Sequence, residues 1–484
     1  MFIICLFLIF SPYCFSEDYS IEATDNVFST PAVESTFKRL FDPLFYEKAY
    51  NIPQDTASNH YIKIGFKQGF RPNQWFQTHL YLCDVEAADN TKAPLVHYAE
   101  NLQASFIKSL STQWNFVIVG AGYAGSVIAH QLAKAGHSVA IFDKKPFLGG
   151  HAHDFYDSNG VLIHLYGPHI FHTNNKKVFE FLSQFTDWKF YEHRVQAHLE
   201  GKNYPMPINR TTINELYGLQ LTEEECKEYL DSVRVVKEKI ENSEDVVLSQ
   251  VDRDLGDKFF KGYTQKQWQR DLKDLAPDVL KRIPVRTNDD DRYFTDTYQM
   301  MPLKGYTEMF HRMLDHPHIS KFLGIDFFPI RDQIAYSHLI FTGPIDAFFD
   351  YQFGPLPYRS LKFEFEYHPV TQYQKVGTVN FPNDFDYTRI TEFKHLTGQK
   401  APGTVILKEY PCDAQITNEP FYPILCKEHD EILAKYQTLA KSLEDAGNTT
   451  FIGRLAEYKY YNMDQVTEAA FNTAEKILQK VKIH

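Results

Sequence analysis

Regular patterning of apolar and polar positions sets in strongly at Trp114. Phe116-Val117-Ile118-Val119 is a short, wholly apolar, β-branched run, the pattern of a strand buried on both faces of a parallel sheet. From Ser126 to Lys134, Val127, Ile128, Gln131 and Leu132 fall at helical spacing. Ser138 to Phe142 reads as a second strand ending at Asp143. Strand, helix and strand in this order open a βαβ unit. Further along, Leu230, Val233, Val236 and Ile240 predict an amphipathic helix in the charged stretch 221–250, and the chain reads as mainly helical to about 285. Residues 355–410 alternate instead, as in Lys362-Phe363-Glu364-Phe365-Glu366, which predicts antiparallel strands. Met463 to Val481 returns to helical spacing, with Val466, Ala469, Ala470, Ala474 and Leu478 on one side.

The chain before Trp114 has a different texture. Phe2 to Phe10 is an unbroken apolar run, too short to span a bilayer. It leaves open a signal segment over residues 1–16, although no Lys or Arg precedes it and no clean small-x-small cleavage site follows. Residues 11–40, rich in Ser, Glu, Asp, Thr and Pro, predict a tail or linker. Residues 41–110 read as short, aromatic-rich helical segments with a weak repeat. Phe41 and Tyr46 recur as Phe76 and Tyr81, thirty-five residues on, and His60-Tyr61 recurs as His97-Tyr98, thirty-seven on. Two helix pairs packing their aromatics together explain this. The segment YIKIGFKQGFRPNQWF resembles small repeats found beside some bacterial glycosyltransferases. Docking to a partner or glycan, or plain packing, are both open for it.

Composition narrows the function. Apolar residues make up 43% and charged residues 23% of the 484-residue chain, which excludes wholesale disorder. Fifty Lys and Arg against 62 Asp and Glu leave a net charge of −12, a poor balance for binding nucleic acid or anionic membrane. The six cysteines lie far apart with no CxxC, the pattern of reduced thiols in a reducing compartment. The histidines at 151, 153, 164, 169 and 172 come without HExxH or a carboxylate at ligand spacing, so no metal site is expected. No GxSxG and no P-loop is present.

The chemistry-bearing motif is G-x-G-x-x-G at Gly120, Gly122 and Gly125, between the first strand and its helix. The first glycine permits the tight turn, the second lets a pyrophosphate approach the backbone, and the third lets helix and strand pack closely. The helix N-terminus offers N–H groups to the phosphates. Asp143, eighteen residues after Gly125 at the end of the second strand, is placed to accept from ribose hydroxyls. A second glycine pair, Gly149-Gly150, follows this acid and resembles the arrangement in amine-oxidase-like flavoproteins, which favours FAD over NAD.

Several segments together resemble the UDP-galactopyranose mutase family of bacterial type, in order and spacing from about Trp114 to the end. They are HLYGPHIFHTN (164–174), FFKGYTQKQW (259–268), KRIPVR (281–286), FTGPID (341–346), YRSLKFE (358–364), YTRITEFKH (387–395), KEYP (408–411) and GRLAEYKYYNMDQ (453–465). The resemblance implies a flavin-dependent isomerase that interconverts UDP-galactopyranose and UDP-galactofuranose. It works through an adduct of reduced-flavin N5 and the sugar, without net redox. It implies reduced FAD as cofactor, a cytoplasmic homodimer, and catalytic roles for Arg282, Arg389 and His172. Arg282 and Arg389 would bear on the diphosphate, whose developing charge a guanidinium stabilises well. Cofactor contacts would come from Gly120, Gly122, Gly125, Asp143, Gly149, Gly150, His169 and Arg454. Substrate contacts would come from Phe260, Tyr263, Trp268, Tyr293, Tyr422 and Tyr460, although each of these aromatics can instead be core.

The implied fold is α/β. A discontinuous Rossmann-type FAD-binding domain (113–190, 300–345, 440–484) carries an inserted helical domain (208–285). An antiparallel sheet domain (190–207, 286–299, 346–439) and the small helical N-terminal module complete it. The chain departs from the family at Asn462, where an Asp is usual, at Asp464, at His151 after the glycine pair, and at Pro168. Glu409 and Arg454 are retained. An FAD-dependent amine or sugar oxidoreductase, or a UDP-sugar-binding protein of weakened activity, are the alternatives.

Overall fold

The computed structural model describes residues 31–65, 72, 93–281, 283–414, 419–424 and 429–481. A five-stranded parallel sheet runs in the order Ile319–Leu323, Val139–Asp143, Trp114–Val119, Tyr336–Phe341, Thr449–Phe451. The apolar strand Trp114–Val119 takes the middle, where both faces are covered. On one face its Phe116 and Ile118 join a core with helix Tyr123–Lys134 and the C-terminal helix Met463–Val481, which contributes Ala470, Phe471, Ala474 and Ile477. On the other face Val117 packs with Phe142, Phe322 and Leu339.

A second sheet of seven strands has the order Tyr422–Pro423, Tyr358–His368, Thr404–Asp413, Arg389–Glu392, Thr378–Asn380, Val195–Leu199, Lys202–Met206. All its pairings are antiparallel except Thr378–Asn380 with Val195–Leu199. The helical segments from Arg210 to Val279 bury Ile213, Cys226, Leu230, Val247, Leu255 and Phe259 against the hairpin of strands Val195–Leu199 and Lys202–Met206. The helix Gly262–Trp268 then bears directly on the sheet. A Cβ on Gly262 would lie 2.6 Å from the Pro382 carbonyl, and Lys266 Nζ donates to the carbonyls of Phe381 and Asp384 at 2.5 and 2.8 Å.

The N-terminal module consists, among its described residues, of helices Pro31–Leu40, Pro43–Tyr50, Gln54–Lys63 and Pro94–Leu110, packed on Phe37, Phe41, Tyr46 and Tyr61. It sits on the edge strand Ile319–Leu323 of the parallel sheet. Phe106 and Leu110 meet the core of Trp114 and Phe322, and the Trp114 indole donates to the Ser109 carbonyl at 3.4 Å. Covering an edge strand removes a site of unwanted strand pairing.

Two elements differ from the sequence pattern. Residues 31–40 are a helix and not part of a tail, because Val33, Phe37 and Leu40 share one face and are buried in the module. The helix predicted through Ile240 stops at Val233: Val236 is exposed and Val235 N–H donates to the Leu248 carbonyl at 2.7 Å. A new helix, Ser243–Leu248, starts where the Asn242 side chain accepts from the Asp245 N–H at 3.0 Å. The apolar run Phe2–Phe10, the possible signal segment and most of the second repeat unit lie outside the described residues. Among the described residues, no helix is long and apolar enough to cross a membrane.

Candidate active site

The strand Trp114–Val119 ends in a turn that only glycines can make. Gly120 has φ +110°, and a Cβ on Gly125 would lie 1.9 Å from the Gly120 carbonyl oxygen. Gly122 occupies the N-cap of helix Tyr123–Lys134 and supplies no capping side chain. The second glycine pair comes back against this turn. Gly149 N–H donates to the Ala121 carbonyl at 2.9 Å, and a Cβ on Gly122 would lie 3.7 Å from Gly150 Cα. Asp143 accepts from the N–H groups of Ala121 and Lys145, both at 2.8 Å, so it knits the two turns together from the end of its strand. Burial raises its pKa, opposed by the Lys145 charge and these two bonds.

These elements line a cleft of about 700 Å³ that also takes in Thr342, Arg454, Asn462 and His169. Burial pushes the His169 imidazole down to about 3, so the ring is neutral. Its Nδ1 donates to the Gly167 carbonyl at 2.9 Å, which leaves Nε2 as an acceptor. The cleft suits a dinucleotide on three counts. The glycine turns meet where Cβ atoms would fill the cradle, the helix N-terminus faces in uncapped, and a carboxylate stands at the ribose position.

On the sheet side, Arg389 and Glu409 are direct cross-strand partners. The guanidinium donates through Nε and Nη2 to the two carboxylate oxygens at 2.7 and 2.8 Å, and Glu409 is 1% exposed. Tyr263 stands close enough to feel the charges of both. Burial pushes its hydroxyl up to about 12, so it is protonated at neutral pH and can donate. Tyr422 and Tyr460 stack with ring centroids 5.7 Å apart, and Trp268 lies 6.3 Å from Tyr422. The Arg454 guanidinium lies 5.7 Å from the Tyr422 ring and 5.5 Å from the Tyr460 ring. Its Nη2 donates to the Tyr461 carbonyl at 2.6 Å. Arg454 therefore belongs to both the cleft and the aromatic wall.

Most of the residues singled out from the sequence converge here: Gly120, Gly122, Gly149, Gly150, Asp143, His169 and Arg454 on the cleft, and Tyr263, Trp268, Tyr422, Tyr460 and Arg389 beside it, while Gly125 packs beneath the turn against the Gly120 carbonyl and Ile118. Tyr293 is half-buried, 5.8 Å from His193, on the helical-domain side. His172 does not line the cleft; it stacks on Phe294 at 3.7 Å and bonds Asp296 Oδ2 through Nδ1 at 2.9 Å. Phe260 is 6% exposed within the helical core, the packing alternative for that aromatic. Arg282 lies outside the described residues. Sequence reasoning missed Lys145 and Glu419, which also line the cleft, and the π-helical turn Asp257–Lys261 just before Tyr263.

A Rossmann-type cleft joined to a mixed sheet and a helical insertion defines a dinucleotide-binding protein of flavoprotein type. Residues 118–185 match the profile of an NAD(P)-binding Rossmann-like domain, and residues 258–460 match that of UDP-galactopyranose mutase. The chain is 39% identical over 378 residues to a probable UDP-galactopyranose mutase of Klebsiella pneumoniae, covering 76% of this chain and 95% of that protein. It is 36% identical over 376 residues to a dTDP-fucopyranose mutase of Escherichia coli, covering 76% and 99%. A crystal structure of reduced UDP-galactopyranose mutase shares the fold, with a TM-score of 0.61 and 17% identity over 76% of this chain and 96% of that one. The chain belongs to the UDP-galactopyranose mutase family, whose members are flavin-dependent isomerases.

Proposed function

We propose that this chain interconverts UDP-galactopyranose and UDP-galactofuranose, with FAD in its reduced form held in the cleft, and that it acts as a homodimer, as the family resemblance implies. The observation that carries the substrate reading is the position of Arg454. It lines the cleft and also packs on Tyr422 and Tyr460, so the cofactor and an anionic nucleotide sugar would share one wall.

Gly120, Gly122 and the first turn of helix Tyr123–Lys134 would hold the pyrophosphate of FAD, and Asp143 a ribose. When bound and reduced, the flavin supplies the nucleophile and electron pair that ring exchange at the anomeric carbon requires. The protein has to stabilise the departing UDP. Arg389 has Nε and Nη2 committed to Glu409, which fixes the plane of the guanidinium and leaves Nη1 to donate to a diphosphate oxygen. The hydroxyl of Tyr263, protonated at neutral pH, adds a donor from the helical domain. Arg282 is proposed as the second guanidinium. His169, neutral, can accept from a sugar hydroxyl without adding charge.

UDP binding to the flavin-loaded protein, followed by the flavin absorbance, tests the reading. Because the E. coli relative is named for a dTDP sugar, dTDP-fucopyranose is the informative competitor. Displacement of UDP by UDP-galactose at lower concentration than by dTDP-fucopyranose supports the galactose reading, and the reverse order overturns it.

A further inference from the structure

Three cleft residues that neither the fingerprint nor the proposed chemistry uses form one charged cluster. Glu419 Oε1 accepts from Lys145 Nζ at 2.7 Å and from His151 Nε2 at 2.7 Å. The side chains are 14%, 19% and 23% exposed for Lys145, His151 and Glu419, so solvent screens the cluster little. Burial pushes His151 down to about 4, so the ring is neutral and donates its Nε2 proton to the carboxylate. Although burial opposes it, the His151 bond and the Lys145 charge hold the Glu419 carboxyl well below the usual range.

The three residues come from places with different tasks. Lys145 lies two residues after Asp143, and His151 directly follows Gly149-Gly150, so both ride on the turns that would seat the cofactor. Glu419 begins the segment Glu419-Pro420-Phe421-Tyr422, whose Tyr422 stacks in the aromatic wall. The segment is fixed to the sheet by Ser360 Oγ donating to the Glu419 carbonyl at 2.7 Å and by the Phe421 N–H donating to the Arg359 carbonyl at 3.0 Å. The cofactor turns reach it through the cluster and through packing of the His151 ring on Phe421, 4.8 Å between centroids. Tyr166 closes the box, with Lys145 Nζ 4.4 Å from its ring centre and His151 5.5 Å away.

We infer that Lys145, His151 and Glu419 form a latch that ties the aromatic wall carrying Tyr422 to the cofactor-binding turns, so that filling one site orders the other. They are positioning residues. This rests on the proposed placement of FAD in the cleft and of UDP beside Tyr422. Thermodynamic linkage makes the coupling reciprocal: UDP must tighten FAD binding by the factor by which FAD tightens UDP binding.

The test compares wild type, Glu419→Ala and the milder Glu419→Gln, each as full chain with and without FAD, in two measurements. Amide hydrogen exchange reads the peptide 419–424. FAD should slow exchange of the Phe421 amide about tenfold in wild type, much less in Glu419→Gln and not at all in Glu419→Ala, while peptides of the Gly120 turn stay protected by FAD in all three. FAD affinity with and without saturating UDP reads the coupling, expected at about fivefold or more in wild type and near one in Glu419→Ala. Equal FAD-dependent protection of residues 419–424 in all three proteins would overturn the latch. If wild type binds no UDP at all, the nucleotide-sugar reading fails, and the exchange measurement still decides the latch alone. A Glu419→Ala chain that does not fold leaves Glu419→Gln to carry both measurements: unchanged protection and coupling there overturn the latch.

Discussion

Arg389 and Glu409 face each other across neighbouring antiparallel strands and make a two-pronged ion pair at 2.7 and 2.8 Å, with the carboxylate almost wholly buried. The arginine thus neutralises a buried acid, and on the proposed function its remaining nitrogen would serve the substrate diphosphate. Arg389→Ala would strand the Glu409 charge and should cost about 3–5 kcal/mol of stability. The double variant Arg389→Ala/Glu409→Gln should recover most of that stability and stay at least about a hundredfold down in kcat/KM. Thermal melts and turnover of the three proteins check this. A double variant with near-wild-type turnover would remove Arg389 from the diphosphate site.

The glycines of the turn separate folding from cofactor binding. A Cβ on Gly125 would lie 1.9 Å from the Gly120 carbonyl, so Gly125→Ala should destabilise the whole domain. Gly122 has φ −83°, and its Cβ would meet nothing nearer than Gly150 Cα at 3.7 Å. Gly122→Ala should therefore fold with stability within about 1 kcal/mol of wild type, while the added methyl stands where the pyrophosphate must approach. Flavin content against melting temperature checks the contrast; a fully flavin-loaded Gly122→Ala protein would place the cofactor elsewhere.

Acid should unfold this protein early. Burial pushes the imidazoles of His153, His164 and His193 down to about 3. In the unfolded chain they take up protons near pH 6.5, so the stability they carry is complete above that pH and is lost as pH falls toward 3. Each costs up to about 1.4 kcal/mol per pH unit in that window. Asp154, which burial raises to about 6, works the other way between about pH 4 and 6, but the buried imidazoles, His151 and His169 among them, outnumber it. Melting temperature should fall steeply from pH 7 to 5. His164→Asn, which keeps an acceptor for the His169 N–H but cannot titrate there, should make that fall shallower. An unchanged slope would contradict the assignment.

The cofactor turn was legible because its information is local. Gly120, Gly122, Gly125 and Asp143 fall within one βαβ unit, where spacing along the chain is spacing in space. The latch was not, since Lys145 and Glu419 lie 274 residues apart and nothing in either neighbourhood announces the other. Arg389 was legible as a motif residue, but its partner Glu409 becomes its mate only through strand register. Val236 and Ile240 continued the helical period of Leu230 and Val233 into a loop, because periodicity does not show that Asn242 starts a new helix. Phe260 and Tyr263 sit in one motif, yet only Tyr263 emerges at the site. The π-helical turn Asp257–Lys261 sets the direction in which the following helix presents its side chains.

The most direct test is turnover with the flavin in each redox state. The full chain is loaded with FAD, UDP-galactofuranose is added with or without dithionite, and the products are separated chromatographically. Formation of UDP-galactopyranose with dithionite and none without it is the predicted result. A flavin-loaded, UDP-binding protein that leaves UDP-galactofuranose unchanged after reduction would contradict the mutase assignment.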